Sequence, residues 1–275
     1  MAPPRARSDE EPDAGQRSVQ SVEVGGRLLL ALANSPDDLA LKALAARADL
    51  SPSRAHPYLV SFQRLGLVEQ DPVSGHYGLG PAALQIGLAC LHRLDAIKAA
   101  TPVAEALAHR TGHAVALAVW GNFGPTVVRL IEARQPLHVT LRVGSVMSLL
   151  GTATGRAFAA ALPAWRLDRA PLAALGDAPA ARPASPAQRR RALEEAADEA
   201  RRHGVSRAAG RPIPGVNAFS AAAFDHEGEP AVVITALDHQ DRLSSDWDGP
   251  AAQAIREAAA AITARLGGTR TSQAR

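Results

Sequence analysis

Between Ser21 and Gly80 the apolar positions recur at helical spacing three times and then break into two short extended runs. In SVEVGGRLLLALANSPDD, Val22, Leu28, Leu29 and Leu32 are read as one face of a helix that stops at Asn34-Ser35-Pro36. LALKALAARADL, residues 39–50, is a second amphipathic helix with Leu41, Leu44, Ala45 and Ala48 as its core stripe. Ser51-Pro52 reads as an N-cap followed by proline at the first helical position, opening a third helix that Gly66 ends. LVEQD and HYGLG, either side of the turn Pro72-Val73-Ser74-Gly75, make a small hairpin. Helices and a hairpin in this order are the plan of a winged helix-turn-helix, in which the helix after the tight turn enters the major groove and its early residues face the bases.

Beyond Gly80 the pattern changes. GPAALQIGLACLHRLDAIKAA, residues 80–100, predicts one long helix linking two domains, and TPVAEALAHRTG, residues 101–112, a fresh helix opened by Thr-Pro. HAVALAVW and TVVRLIE are apolar, β-branched runs around Gly121-Asn122-Phe123-Gly124-Pro125, which predicts a hairpin, and HVTLR adds a strand. GTATGRAFAAAL is a helix bounded by glycine, NAFSAAAF and AVVITAL pair around Asp225-His226-Glu227-Gly228, and AAQAIREAAAAITARL closes the chain as a helix. Antiparallel strands with segregated helices define an α+β domain.

A chain of 275 residues, 47% of them hydrophobic, is long enough for two domains. It contains no charge-free run of about 18 apolar residues, and its first twenty residues mix charges and prolines where a signal peptide needs an apolar stretch, so a soluble cytoplasmic protein with no membrane partner is expected. A single cysteine, Cys90, excludes an intramolecular disulfide and a cysteine-rich zinc site. The formal net charge is +3, yet residues 21–80 hold five Lys/Arg against six acids, so DNA binding cannot rest on bulk basicity. The positive run QRRRALEEAADEARRHG, residues 188–204, interleaves Arg with Glu and Asp at helical spacing and reads as a solvated helix face.

Other chemistry lacks the residues it needs. GTATGR, residues 151–156, lacks the four-residue spacer and the Gly-Lys-Ser/Thr ending of a phosphate loop. His109 and His113 are four apart, but Thr111-Gly112 breaks the helix between them and no carboxylate or cysteine stands at ligand spacing, so neither a metal nor a cofactor is expected. Ser145, in VGSVM, is not in a nucleophile elbow. A small-molecule hydrolase or transferase is the alternative class, against which the helix-turn-helix speaks because an ordinary enzyme does not need one; a winged-helix module that binds protein instead of DNA is a third, which a DNA-retardation test separates.

SVEVGGRLLLALA and LKALAARADLSPSRAHPYLVSFQRLGLVEQDPVSGHYGLG resemble the DNA-binding half of IclR-family transcriptional regulators, and VGSVMSLLGTATGRAFAAALP with GVNAFSAAAFDHEGEPAVVITAL is similar to their effector domain. The resemblance implies a winged helix-turn-helix over 18–80, a linker helix over 81–100 and a GAF-like effector domain over 101–268, between disordered tails at 1–17 and 269–275. It implies a regulator, repressor or activator, of a catabolic operon. The DNA-binding candidates are Ser51, Ser53, Arg54, His56, Tyr58, Ser61 and Arg64 in and around the third helix, and His76 at the tip of the hairpin, with Phe62 read as core. A dimer through helix 1 and the linker helix would match a palindromic operator on double-stranded DNA, and the family implies pairing into a tetramer.

The family's ligand site implies a second set of candidates. The effector would sit against the glycine-rich helix start, Leu149, Leu150, Gly151, Thr152, Ala153 and Thr154, whose N–H groups suit a carboxylate. Members that bind very small organic acids carry an aspartate, a cysteine and two serines where this sequence has Ala208, Ala218, Thr235 and Leu237. That exchange implies an aromatic or largely apolar carboxylic acid, with Trp120, Met147, Phe219 and Leu237 lining the cavity and Thr152, Thr154 and Thr235 as polar contacts. Two positions depart from the family: Pro57, where many relatives carry arginine in the recognition helix, and the Gly25-Gly26 pair, which weakens helix 1. Pro57 implies that the third helix either begins later or is kinked.

Overall fold

The computed structural model describes residues 19–91, 94–137, 139, 141–170 and 185–268, and both expected tails lie outside them. The chain divides into two units, Met1–Arg93 and Leu94–Arg275.

In the first unit the order is α1 (Gln20–Ala33), α2 (Leu41–Arg47), α3 (Pro52–Arg64), β1 (Val68–Gln70), β2 (Tyr77–Leu79) and α4 (Pro81–Leu91). Leu28 and Leu32 of α1, Leu44 and Ala45 of α2, and Ala55 and Leu59 of α3 meet Val68 and Tyr77 in one apolar cluster. The stripe on α1 is rotated from the one predicted: Val24, Gly25, Leu28 and Leu32 are buried, whereas Val22 is 70% exposed. Six residues separate Val22 from Leu28, about 240° around an α-helix, which carries Val22 off the buried face. The wing is antiparallel, with Val68 opposite Leu79. Asp71 accepts from the Val73 and Ser74 N–H groups to close its turn.

The long helix expected over 81–100 is in fact two. The second, α5 (Ala96–Thr111), starts at Asp95, whose carboxylate accepts from the Ile97 and Lys98 N–H groups. That cap satisfies two first-turn donors. Thr101-Pro102, predicted as a helix start, lies inside α5, and the Thr101 hydroxyl donates back to the Ile97 carbonyl.

The second unit is built on an antiparallel five-stranded sheet in the order β4-β3-β7-β6-β5. Its strands are β3 (Ala114–Gly121), β4 (Gly124–Ile131), β5 (Ser206–Ala209), β6 (Val216–Phe224) and β7 (Pro230–His239). The β3–β4 and β6–β7 hairpins follow the prediction. Strand β5 was not foreseen. The strand expected at HVTLR is not seen at Val139, Leu141 and Arg142, while His138 and Thr140 lie outside the described residues.

Helices cover both faces of the sheet. α5 and α9 (Pro250–Arg265) pack on one side, where α9 buries Ala251, Ala252, Ala254, Ala258 and Ala259 among Val115, Leu117, Phe219 and Ile234. Alanines let the helix lie close to the strands. α6 (Ala153–Ala161) and α8 (Pro186–His203) pack on the other side, around Phe158, Leu193 and Val233, with the short α7 (Ala164–Asp168) at their edge. α8 buries Leu193, Ala197 and Ala200, pairs Arg191 with Glu195 and Arg201 with Asp198 on its outer side, and turns Arg189 inward onto the Leu167 and Ala170 carbonyls.

Candidate nucleic-acid interface and ligand cavity

α3 has two distinct faces. Ala55 and Leu59 are buried, while Ser53, Arg54, His56, Pro57, Ser61 and Arg64 are exposed. Ser51 is the N-cap and Pro52 the first helical residue, as the sequence indicates, but the Ser51 hydroxyl pairs with Ser53 Oγ at 3.1 Å instead of capping a backbone N–H. Tyr58 and Phe62 are half-buried against the apolar cluster, so Tyr58 is partly core. A Cβ on Gly25 would stand 2.8 Å from Phe62 Cζ and 3.5 Å from Tyr58 Cδ1, which gives this glycine a packing reason; at Gly26 a Cβ would meet nothing within 4 Å. The helix does not begin later on account of Pro57 but runs from Pro52 to Arg64 with the proline inside it. Residue 57 would be the helical donor to the Ser53 carbonyl, and proline supplies none. His76 is half-exposed beside the first residue of β2, with its carbonyl accepting from the Asp71 N–H, so it sits below the tip formed by Pro72–Gly75.

The cavity follows from strand register. Residues opposite one another across adjacent strands share a face, and two rungs cross the sheet together: Ala114, Leu237, Ala218 and Ala208, then Ala116, Thr235, Ser220 and Ser206. Over these rungs lies a cavity of about 60 Å³, walled by Ala116, Ala208, Ala218, Thr235 and Leu237 from the sheet. Met147, Thr152, Ala153 and Thr154 close it at the start of α6, and Val127, Leu141, Arg211, Pro212, Ile213 and Val216 complete it. That is room for roughly four to six water-sized groups. A second cavity of about 270 Å³, bounded by Ala133, Leu137 and Val139, shares Leu141 and Leu237 with the first.

The predicted ligand residues therefore separate. Met147, Thr152, Ala153, Thr154, Thr235 and Leu237 come together in the wall. Phe219 is opposite Ala236 on the other face and packs edge-on to Trp247 with ring centroids 5.9 Å apart. Its position in the strand, one residue from Ala218, puts it out of reach. Trp120 lies further along β3 and packs edge-on to Phe158 at 5.7 Å. Leu149 and Leu150 belong to the same cluster as Phe158, and Gly151 sits over Ser148. None of these five lines the cavity. The wall residues missed from sequence are chiefly Ala116, Val127, Leu141 and the Arg211–Val216 segment; alternation along β3 would have pointed to Ala116.

Hydroxyls tie α6 to the sheet. Thr154 Oγ1 lies 2.9 Å from Thr235 Oγ1, which lies 2.7 Å from Ser220 Oγ. Three hydroxyls joined by two hydrogen bonds keep one proton free to donate elsewhere. Thr152 has no such freedom: its hydroxyl donates to the Ser148 carbonyl and accepts from the Gly155 N–H. A Cβ on Gly155 would stand 1.9 Å from the Ser148 carbonyl oxygen, so the second glycine of GTATG serves close packing of the helix start.

Elsewhere, His113 is not in the helix of His109; it precedes β3 and donates from Nδ1 to Asp238, 2.9 Å away, a carboxylate that arrives from β7. Asp238 also accepts from Arg242 and from the His239 N–H. The Ser145 hydroxyl accepts from the Arg142 N–H, and Cys90 is exposed. Among the described residues no helix is long and apolar enough to cross a membrane, and no cluster of three or more His, Cys, Asp or Glu could hold a metal.

A helix-turn-helix with a polar outward face, on one chain with an α+β domain enclosing a small cavity, defines the class of DNA-binding transcriptional regulators. Comparison with known proteins makes the assignment particular. Residues 21–72 match the IclR helix-turn-helix domain and residues 88–264 the bacterial transcriptional regulator IclR C-terminal domain. The chain belongs to the IclR family. It is 36% identical to Pseudomonas aeruginosa HmgR, whose crystal structure superposes with a TM-score of 0.79 over 92% of this chain and 100% of that one. It is 29% identical over 262 residues to the glycerol operon regulatory protein of Streptomyces griseus, 92% of this chain and 99% of that one. To the transcriptional repressor IclR of Escherichia coli it is 26% identical over 265 residues, 94% and 93% of the two chains.

Proposed function

We propose that this protein is a cytoplasmic regulator, repressor or activator, of a catabolic operon, which releases or engages a palindromic operator on binding an aromatic or largely apolar carboxylic acid. The observation that carries the effector class is the wall of the cavity. Alanine, valine, leucine and methionine make up most of it, and few hydroxyls and one arginine supply its polar groups. A two- or three-carbon acid fills the small cavity by itself, whereas a ring or branched chain needs the adjoining one as well and matches the apolar character of the wall. The shared Leu141 and Leu237 give a longer ligand room in the adjoining cavity. Thr154 and Thr235 are its hydroxyl contacts, with the first-turn N–H groups of Ala153 and Thr154 having no acceptor within their helix; Thr152 acts through its place at the N-cap.

On the DNA side, Ser51, Ser53, Arg54, His56, Ser61 and Arg64 form the contact set, with Tyr58 at its edge and His76 on the wing. The domains are proposed as a DNA-binding unit through Gly80, α4 as the connection, and an effector unit from α5 onward. The test is a calorimetric titration with aromatic acids beside glyoxylate and pyruvate, followed by a retardation assay on operator DNA with and without the binding acid. Binding of an aromatic acid that changes operator affinity is the expected result. Tight binding of a two- or three-carbon acid in preference to every aromatic one, undiminished by Thr154→Val, would refute the pocket and its polarity.

A further inference from the structure

The polar end of the ligand needs a counter-charge, and the wall of the cavity offers one that the start of α6 does not. Arg211 is the one cation in the wall of the smaller cavity and no residue of that wall is acidic, while Glu132 lines the adjoining cavity. Among the described residues its side chain makes no hydrogen bond or ion pair, while Arg156, Arg207, Arg242 and Arg256 of the same unit are all engaged: with Glu199, with the Ser245 carbonyl and the Trp247 ring, with Asp238, and with the His203 and Trp247 carbonyls. An unpaired arginine on a surface is ordinary. One whose neighbours in a cavity wall are otherwise uncharged gives that cavity a sign.

The loop that carries it is held at its base. The Gly210 N–H donates both to the Val216 carbonyl and to Asn217 Oδ1, at 3.0 Å each. Asn217 is buried and donates in turn to the Leu243 carbonyl at 2.8 Å. Arg211 follows this anchored glycine directly, so its backbone has a defined position at the rim.

Resting on the reading of this cavity as the effector site, we infer that Arg211 is the residue that selects an anion: the ligand's carboxylate meets its guanidinium, and the apolar body points inward, towards Ala116, Met147 and Leu237. The Thr154 and Thr235 hydroxyls, with Ser220 behind Thr235, then meet the inner end of the ligand, where the spare proton of the three serves a hydroxyl or carbonyl substituent on the ring. This reverses the orientation that the helix start alone would suggest. Guanidinium and carboxylate form charge-assisted hydrogen bonds with a planar fork geometry that an amide cannot reproduce.

The test compares benzoate, phenylacetate and 3-phenylpropionate with their neutral amides, by calorimetry on the full chain and on its Arg211→Gln, Arg211→Lys and Thr154→Val variants. The wild type is expected to bind at least one acid about tenfold or more tightly than the matching amide, the scale of a hydrogen bond to a charged group. Arg211→Gln should bring acid and amide within about threefold by weakening the acid alone, Arg211→Lys should keep part of the preference, and Thr154→Val should leave it intact. An acid preference that survives Arg211→Gln, or that Thr154→Val alone abolishes, overturns the assignment while sparing the effector site. Amides that bind the wild type as well as acids overturn it too, and binding of neither removes the cavity reading and this inference together. Arg211 is exposed, so unchanged melting temperatures are expected in its two variants, whereas Thr154 is buried and bonded to Thr235 and its variant is read from the ratio of acid to amide affinity alone.

Discussion

Asp238 is 2% exposed, and three donors converge on it. Burial pushes its carboxyl up, but the Arg242 guanidinium, the His113 ring and the His239 N–H together outweigh that and hold it below the ordinary carboxylate range. A carboxyl with a folded value below its unfolded value of about 3.9 contributes stability that is fully present above that pH and is lost as pH falls through the folded value. Asp238→Asn is expected to lower stability at pH 7 by about 2 kcal/mol, since it leaves Arg242 and His113 without their anion. It should also flatten the fall of melting temperature below about pH 4. Scanning calorimetry from pH 3 to 7 on both proteins checks this, and superimposable profiles would contradict it.

At the scale of elements, α3 carries a local conflict. Proline inside a helix costs about 3 kcal/mol or more through the lost hydrogen bond and ring clash, yet α3 is continuous because Ala55 and Leu59 anchor it in the core on either side of residue 57. Tertiary packing overrides propensity here. Pro57→Arg restores a donor to the Ser53 carbonyl and adds a cation to the exposed face. Stability should rise by about 1–3 kcal/mol, and operator binding at fixed salt should tighten with a salt slope steeper by roughly one counterion. An unchanged melting midpoint together with unchanged operator affinity would show Pro57 to be accommodated and remote from the DNA.

For the whole molecule, the apolar surface of the first unit argues for assembly. α4 carries no charged residue, and its Leu84, Ile86 and Leu88 are exposed, as are Val22 and Leu30 of α1. Exposed apolar residues gathered on two helices mark an interaction surface. A second copy, placed by a two-fold axis, would bury them and present two recognition helices to a palindrome. We predict a dimer through α1 and α4, associating to a tetramer, by light scattering at micromolar concentration, and a shift towards monomer in the double variant Leu84→Glu, Ile86→Glu. A wild-type monomer under those conditions would dismiss the interface.

Local rules were legible wherever a single segment satisfies itself. Periodicity gave α2, α3, the wing, both sheet hairpins and α9, because the side-chain spacing of a helix or strand is set within it. Ser51-Pro52 marks the start of α3 for the same reason, and Asp95, which caps α5, is a signal of the same local kind. The sequence by itself thus determined the order of elements in the winged unit, the family and the outward polar face of α3. Only the tertiary structure decided which residues meet across distance. Strand register put Phe219 on the far face and Ala116 in the cavity and brought Asp238 to His113 across 125 positions, and the fold set Arg211, from a loop with no pattern of its own, in the same cavity wall as Leu237. Such pairings depend on how strands are ordered and aligned, and a shift of one residue would turn every side chain to the opposite face.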